Sequence, residues 1–527
     1  MISGSIEIQR GDYTGGGKAS AQIKNMLSSL GISYEIMKKA MIAVFEAEMN
    51  IIIHSYGGKI FYKVDEEKLE IEAIDNGPGI SDVILAMKEG YSTAPPEARE
   101  LGYGAGMGLP NIKKNTDFFY IASSGKGTII KFFIKLYANE SFEEIDLAVE
   151  CDSKKCKKCL ACVRECPTRA IRIKEGEVII LAHRCINCNR CVEVCPTGVF
   201  NFSLVHKNLD LSSSFMESTN LILPNPIAGK LYSEGKWLSC KKHLKEKYNI
   251  DLVSLFPWEL ALRKAITEYI RSPDTKYSPI ISPVCPSVIQ WLQTEYPSLT
   301  IYIAPYLYPF LACIEFYSSR GRVIYVPLCA SQVVAVKSLY KNSDRVELLH
   351  PQMFYELIRG IDAEPIFISE DSGSTNLFID ESQSVMGIIS VKRFLDKFEK
   401  GKVAKNLKYV ELYNCYGGCY GFPFTDIEPY SLKAILREKG FYDFNGNLDA
   451  KSVFRASELK MRKGIRLGAN MKESLQKLSL IEDVYKGLPG RDCAVCGAPR
   501  CLEFAEEVAI YNVSINRCPY LENKKGE

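Results

Sequence analysis

The chain reads as a multidomain α/β protein, and three observations carry that expectation. Its 527 residues are too many for one hydrophobic core, and a soft prior of roughly 150 residues per domain gives three or four units. Strand-like runs, at Ser5 to Gln9, Ala170 to Ile173 and Val178 to Ile180, alternate with helical spacing. Nineteen cysteines fall into separated groups, so each group can serve its own domain.

Composition narrows the function classes. Apolar residues make up 46% and charged residues 24%, and the net charge is only +3. That is an ordinary soluble balance, with no electrostatic reason to expect nucleic acid or an acidic membrane. No DNA-binding motif is visible. So many cysteines without a signal peptide point to a reducing cytoplasm and to metal ligation rather than disulfides. The most apolar run, Ile301 to Phe316, is broken by Pro305 and Pro309 and carries Glu315, which predicts buried core rather than a membrane span.

At the N-terminal end, Gly15, Gly16, Gly17 and Lys18 invite a phosphate-loop reading. The loop requires a glycine where Asp12 stands and Ser or Thr where Ala19 stands, so a turn before a helix starting near Ala19 is expected instead. The stronger nucleotide signal comes later. Glu46 and Asn50 are four apart, on one face of a helix whose other positions include Ile42, Phe45 and Met49. Three glycine-rich runs follow: DNGPGI from Asp75, GYGAGMGL from Gly102 and GKGT from Gly125. His54 reads as a surface or cap residue.

In that order the four motifs resemble the Bergerat ATP-binding fold, an α/β sandwich, and most closely the anti-sigma-factor serine kinases. The resemblance implies ATP with Mg2+, with ATPase or protein serine/threonine kinase activity. It makes Glu46 the base that activates the attacking hydroxyl or water, and puts Asn50 on the metal. Phosphoryl transfer asks the protein mainly for positioning, a metal and a group that orients the nucleophile. It also implies that Asp75 accepts from the adenine amino group and that Gly77 and Gly79 let the backbone close on the ring. Gly104, Gly106 and Gly108 would form a lid over the phosphates, and Thr128 would support the adenine end.

After an acidic, aperiodic stretch (Tyr137 to Glu150) that suits a linker or a short docking strand, the spacing C-x2-C-x2-C-x3-C-P occurs twice, from Cys156 and from Cys185. Zinc also uses C-x2-C pairs but rarely carries the trailing Cys-Pro. The doubled spacing is that of bacterial two-cluster ferredoxins, in which the fourth cysteine crosses to the other cluster. The resemblance assigns Cys156, Cys159, Cys162 and Cys195 to one [4Fe-4S] cluster, and Cys185, Cys188, Cys191 and Cys166 to the other. The two strand-like runs between them, joined at Glu175 and Gly176, predict a hairpin.

Three further signals follow: SPVCPS at Cys285, VPLCASQ at Cys329 and ELYNCYGGCYG at Cys415 and Cys419. In that order they resemble the signature stretches of the iron-only hydrogenase catalytic domain, which implies a two-lobed α/β domain around a buried cluster. The departures are chemical. Val284 stands where the proton-relay thiol would be, Gln332 replaces the lysine that holds a cyanide ligand, Val288 replaces an aromatic residue, and the last motif runs into Gly421, Phe422 and Pro423. Four thiolates remain for a cubane, and hydrogen activation is not expected. Unligated core cysteines are the alternative.

The last group, Cys493, Cys496, Cys501 and Cys518, is spaced C-x2-C-x4-C-x16-C and resembles a small iron-sulfur module of electron-transport subunits. Zinc fits this spacing as well. Cys151, Cys240 and Cys313 match no motif and read as spare or core thiols.

The expected domains are 1–136 for ATP, 137–150 as linker, 151–204 for two clusters, 211–480 as hydrogenase-like and 481–527 as the last iron-sulfur module. The fusion points to a cytoplasmic redox-responsive signalling protein in which cluster state is coupled to an anti-sigma-kinase-like domain. An electron-transfer subunit of a hydrogenase or oxidoreductase complex is the alternative. The implied partners are ATP, a redox partner protein, and an anti-anti-sigma-like or hydrogenase-complex protein, with no nucleic acid and no membrane span.

Overall fold

The computed structural model describes residues 1–13, 16–100, 103–104, 106–136, 147–202, 218–272, 277–363, 381–399, 402–404, 406–421, 427–439, 467–468 and 470–521. The chain divides into two compact units, Met1–Glu144 with Met461–Glu527, and Ile145–Lys460. The second unit is therefore inserted, in chain order, into the first.

The first unit is built on a five-stranded antiparallel sheet in the order Ile2–Ile8, Gly58–Val64, Lys68–Asp75, Gly127–Lys135, Phe118–Ser124. Strict alternation explains it: in Lys68–Asp75 the residues Leu69, Ile71 and Ala73 are buried and their neighbours are not. The buried face is covered by the helices Lys18–Ser29, Tyr34–His54 and Gly108–Lys114. Of the glycine run before the first of these, Gly16 and Gly17 form a turn, with Gly17 left-handed at φ 95°. Buried Glu48 accepts from the amides of Ala19 and Ser20 at 3.2 and 3.4 Å, taking helix-terminal donors that lack an intrahelical partner.

The C-terminal segment belongs to this same core. Helix Met471–Lys486, capped by Asn470 Oδ1 accepting from Glu473 N at 2.8 Å, buries Met471, Leu475, Leu478 and Ile481. These join one hydrophobic cluster with Ile23, Leu27, Ile60 and Val64 of the nucleotide-type fold, and with Phe504, Ala505, Ala509, Cys501 and Cys518. The expected boundary at 480/481 is thereby corrected. It falls inside an unbroken helix whose apolar stripe packs on the first unit, so the hydrogenase-like segment ends earlier.

The second unit opens with a ferredoxin-type segment of approximate two-fold symmetry. Short helices Ala161–Glu165 and Arg190–Val194 follow the two cysteine loops. Val149–Cys151 pairs antiparallel with Phe200–Phe202, and Ile171–Lys174 with Glu177–Ile180 across a turn at Glu175 and Gly176. Residues 137–146, most of the expected linker, lie outside the described residues, whereas its end is the docking strand Val149–Cys151.

The remainder of this unit has two parallel sheets. One runs Ile250–Ser254, Thr219–Leu223, Arg322–Tyr325, Val346–Leu348 and the other Ile280–Ile281, Tyr409–Tyr413, Ser382–Met386. Each has its own hydrophobic cluster, which gives the two lobes. The run from Ile301 resolves into helix Pro309–Ser318 with Phe310 to Ile314 buried, and among the described residues no helix is long and apolar enough to cross a membrane.

Candidate functional site

Helix Tyr34–His54 lies against the sheet so that Glu46, Asn50 and His54, each four residues apart, border one cavity of about 620 Å3. Asp75, Gly79, Gly104, Gly106, Gly108 and Thr128 also line it. Gly77 stands beside it, its amide donating to Asp75 Oδ1 at 2.6 Å, and the Thr128 amide donates to the same oxygen at 3.2 Å. Eight of the nine residues that the sequence marks for ATP thus line one cavity, and the ninth fixes the orientation of Asp75.

The glycines matter where atoms crowd. Gly79 has φ +77°, and a Cβ on it would stand 2.0 Å from Ser124 O. A Cβ on Gly108 would meet Asn50 Oδ1 and Glu46 Oε2 at 3.3 Å, so the lid's last glycine lets the helix Gly108–Lys114 close on the acid. Burial raises the Glu46 carboxyl above the ordinary carboxylate range, and a hydrogen bond from Asn111 Nδ2 to Glu46 Oε1 at 2.8 Å opposes this. Asn111 escaped the sequence reading. Its partner is 65 residues away, and only its place one turn after Gly108 could have pointed to it. Asn50 Nδ2 is buried with no hydrogen-bond partner among the described residues, which suits a side chain whose polar partner is a ligand. A metal–nucleotide complex fits: the partnerless Nδ2 would donate to a phosphate oxygen, leaving Asn50 Oδ1 for the metal, and the raised Glu46 carboxylate would be the proton acceptor.

The cysteines assemble as spaced. The thiol of Cys162 is pushed up to about 12, first by burial and then by Cys156, Cys195 and Cys159. That of Cys188 is pushed up by burial, then by Cys166, Cys185 and Cys191. Cys195 thus lies within electrostatic reach of the loop from Cys156, and Cys166 within reach of the loop from Cys185. The two halves repeat the same N–H···S contacts: Lys158 N and Asn187 N to Cys156 and Cys185 at 3.4 Å, and Ala170 N and Val199 N to Cys166 and Cys195 at 3.2 and 3.3 Å. Donors of this kind stabilise thiolates bound to iron.

Cys285 and Cys329 sit at the N-termini of helices Pro286–Glu295 and Ala330–Tyr340, and Cys415 follows strand Tyr409–Tyr413. All three lie past the carboxyl ends of parallel strands drawn from both sheets, where α/β proteins place ligands. Burial raises the Cys419 thiol, and Cys285, Cys329 and Cys415 raise it further, so these four thiols form one group. Gln332 makes internal bonds, its Oε1 accepting from Leu328 N at 2.7 Å and Tyr325 OH at 3.1 Å. Val288 is core. Phe422 and Pro423 lie outside the described residues. In the first unit, Cys493, Cys496, Cys501 and Cys518 line a single small cavity with Phe504 and Tyr520. A set of four converging thiols fits a cluster, because burying several sulfurs together is costly until a metal takes them as thiolates.

The unassigned cysteines are structural. Cys240 and Cys313 are fully buried, and Cys151 Sγ donates to Val178 O at 3.2 Å between the two small ferredoxin sheets.

Comparison with known proteins agrees with this partition. Residues 37–138 match the family of histidine kinase-, DNA gyrase B- and HSP90-like ATPases, residues 155–203 a 4Fe-4S dicluster domain and residues 488–520 a putative Fe-S cluster domain. The serine/threonine-protein kinase RsbT of Bacillus subtilis is 33% identical over 113 residues, covering 20% of this chain and 79% of that protein. An anti-sigma F factor of Caldanaerobacter subterraneus is 38% identical over 95 residues, covering 17% of this chain and 63% of that protein. An FeFe-hydrogenase structure, HydA(deltaEFG), aligns over 58% of this chain and 94% of its own at 14% identity with a TM-score of 0.31. A likeness of that size fixes nothing about the central segment, whose resemblance to hydrogenases rests on the cysteine stretches.

Proposed function

The chain belongs, through its N-terminal ATPase domain, to the family that includes the kinase RsbT and the anti-sigma F factors, and from that premise we propose that it is a redox-responsive signalling protein. In this reading, cluster state sets nucleotide binding or turnover, the phosphoryl group goes to an anti-anti-sigma-like protein, and no hydrogen is activated. One observation carries it: the Cys493–Cys518 module and the nucleotide-type fold share a single hydrophobic cluster. A shift in that module is therefore felt by the packing beneath the ATP cavity, because close-packed cores transmit strain. A change of charge at the cysteine set can bias a two-state arrangement by the roughly 1–3 kcal/mol typical of allosteric coupling.

Within the ATP cavity, bound nucleotide and Mg2+ would supply the transferable phosphoryl group and neutralise its charge. Asn50 would hold the metal, Glu46 would take the proton of the attacking hydroxyl, Asn111 aims Glu46 through its bond at 2.8 Å, and Asp75 would receive the adenine amino group. In the central segment, Val284 has no proton to give and Gln332 is engaged by Leu328 and Tyr325. Cys419 lies among buried Tyr325, Tyr413 and Tyr420, whose phenols are pushed up first by burial, then by Cys329 for Tyr325, by Glu411 for Tyr413 and by Glu259 for Tyr420, and to a lesser degree by Cys419. These features support a plain cluster site there.

The test is nucleotide affinity and ATP turnover in anaerobic, cluster-loaded protein, oxidised and reduced, alongside Cys518→Ser. Four cubanes bring about sixteen irons, and iron analysis establishes loading first. Affinity is expected to differ between the two redox states by about fivefold or more and to lose that difference in Cys518→Ser. Equal values in both states would remove the coupling.

A further inference from the structure

The two cysteine loops of the ferredoxin-type segment are alike in backbone and opposite in surroundings. In the loop from Cys185, the residues between the first two cysteines are Ile186 and Asn187, both 1% exposed. Ile186 and Cys188 pack into the cluster that also holds Cys285, Val288 and Tyr413. The next residue, Asn189, accepts from the amide of Ala330, beside Cys329, at 3.3 Å. This half of the segment faces the central cysteine set directly.

In the loop from Cys156 the equivalent positions are Lys157 and Lys158, and two more lysines, Lys154 and Lys155, precede it; all four are exposed. They precede Cys159 in the chain, the one exposed cysteine of the nineteen. Lys155 meets Asp152 at 3.6 Å. Among the described residues Lys154, Lys157 and Lys158 make no ion pair, and the neighbouring hairpin acids Glu175 and Glu177 make none with them. Held at this density on one short loop, the charges repel one another, and only Lys155 has a carboxylate partner among the described residues. Such a collar serves a surface that meets opposite charge, raising encounter rates with it.

We propose that Lys154, Lys155, Lys157 and Lys158 form the docking collar for an acidic one-electron carrier protein, and that the Cys156, Cys159, Cys162 and Cys195 site is the entry point for electrons. The order inside this unit then runs from the collar to the Cys185, Cys188, Cys191 and Cys166 site and on to the Cys285, Cys329, Cys415 and Cys419 set. The step balances simply: the reduced carrier loses one electron, the entry cluster gains it, and no bond or proton need be exchanged. This inference rests on the cysteines holding clusters but not on any coupling to ATP, so redox-independent nucleotide binding leaves it standing.

The experiment uses full-length protein shown by iron content and visible spectrum to be loaded. A reduced, acidic two-cluster ferredoxin is mixed with it anaerobically and cluster reduction is followed in time. For the wild type, the rate should fall steeply as ionic strength rises from about 50 mM to about 500 mM, where screening shrinks to a few ångströms. The double variant Lys157→Glu, Lys158→Glu should be slower by about tenfold or more at low salt, yet be reduced by cationic methyl viologen no more slowly than the wild type. A wild-type rate insensitive to salt would overturn the proposal without any variant. So would an unchanged rate in the double variant, or binding of anionic vesicles or DNA by the collar with no binding of the carrier.

Discussion

Gly79→Ala should weaken nucleotide binding by a calculable amount. At φ +77° a non-glycine residue costs roughly 1–2 kcal/mol, because its Cβ crowds the following carbonyl. The Cβ would also stand 2.0 Å from Ser124 O, so the turn must move off the end of strand Phe118–Ser124. That movement breaks the bond from Ile80 N to Ser123 Oγ at 2.7 Å, a loss of about 0.5–1.5 kcal/mol. Regaining the nucleotide-bound turn then costs about 1.5–3.5 kcal/mol, which is an affinity about 10- to 400-fold lower. Calorimetric titration with ADP and Mg2+ measures it. The matched control is Gly125→Ala, where a Cβ meets nothing within 4 Å and the backbone is not left-handed; it should bind as the wild type does. Full affinity in Gly79→Ala, or an equal loss in Gly125→Ala, would refute the reasoning.

Glu46→Gln should retain nucleotide binding while slowing turnover by about 100- to 10,000-fold, read as phosphate release. Burial raises the Glu46 carboxyl in the folded protein, so the folded state holds that proton more tightly than the unfolded one. Stability therefore falls as pH climbs from the ordinary carboxylate range through the raised value, and melting curves of Glu46→Gln should lack that decline. Asn111→Ala removes the bond that opposes the shift, which should move the acidic limb of the turnover profile to higher pH. In the second unit, Arg263 forms a two-pronged pair with buried Glu411, Nε to Oε1 at 2.9 Å and Nη2 to Oε2 at 3.1 Å. Arg263→Ala leaves that carboxylate buried without its cation, with only the Tyr409 hydroxyl at 2.7 Å and Ser384 Oγ at 3.2 Å as close donors, and should cost about 3 kcal/mol of stability, measured by denaturant unfolding.

What the sequence disclosed was local. The C-x2-C-x2-C loops and the Glu46–Asn50 spacing are set by one loop or one helical turn, so they were legible without knowing the fold. The contact from Asn111 to Glu46 was not, because no spacing rule links residues on different helices. Helix Met471–Lys486 shows the same limit on a larger scale. Its apolar stripe says which face is buried but not against what, and the same Met471, Leu475 and Leu478 would serve a helix closing the central segment. The contrast between Lys157–Lys158 and Ile186–Asn187 was written in the residues. It acquired meaning only when one loop proved buried against Cys285 and its neighbours and the other exposed.

The insertion of one unit within the other gives the coupling a thermodynamic form. The core under the ATP cavity is completed by residues from beyond position 461, so the packed state of that core is also the state in which Cys493, Cys496, Cys501 and Cys518 converge. Any ligand that binds only the converged cysteines stabilises the packed core by mass action, and nucleotide bound to the packed core returns the favour to the cysteines. Linkage makes the two effects equal. Under the proposed coupling, a cluster in the C-terminal module and ATP in the cavity would act on one equilibrium, and each would alter the affinity for the other by the same factor.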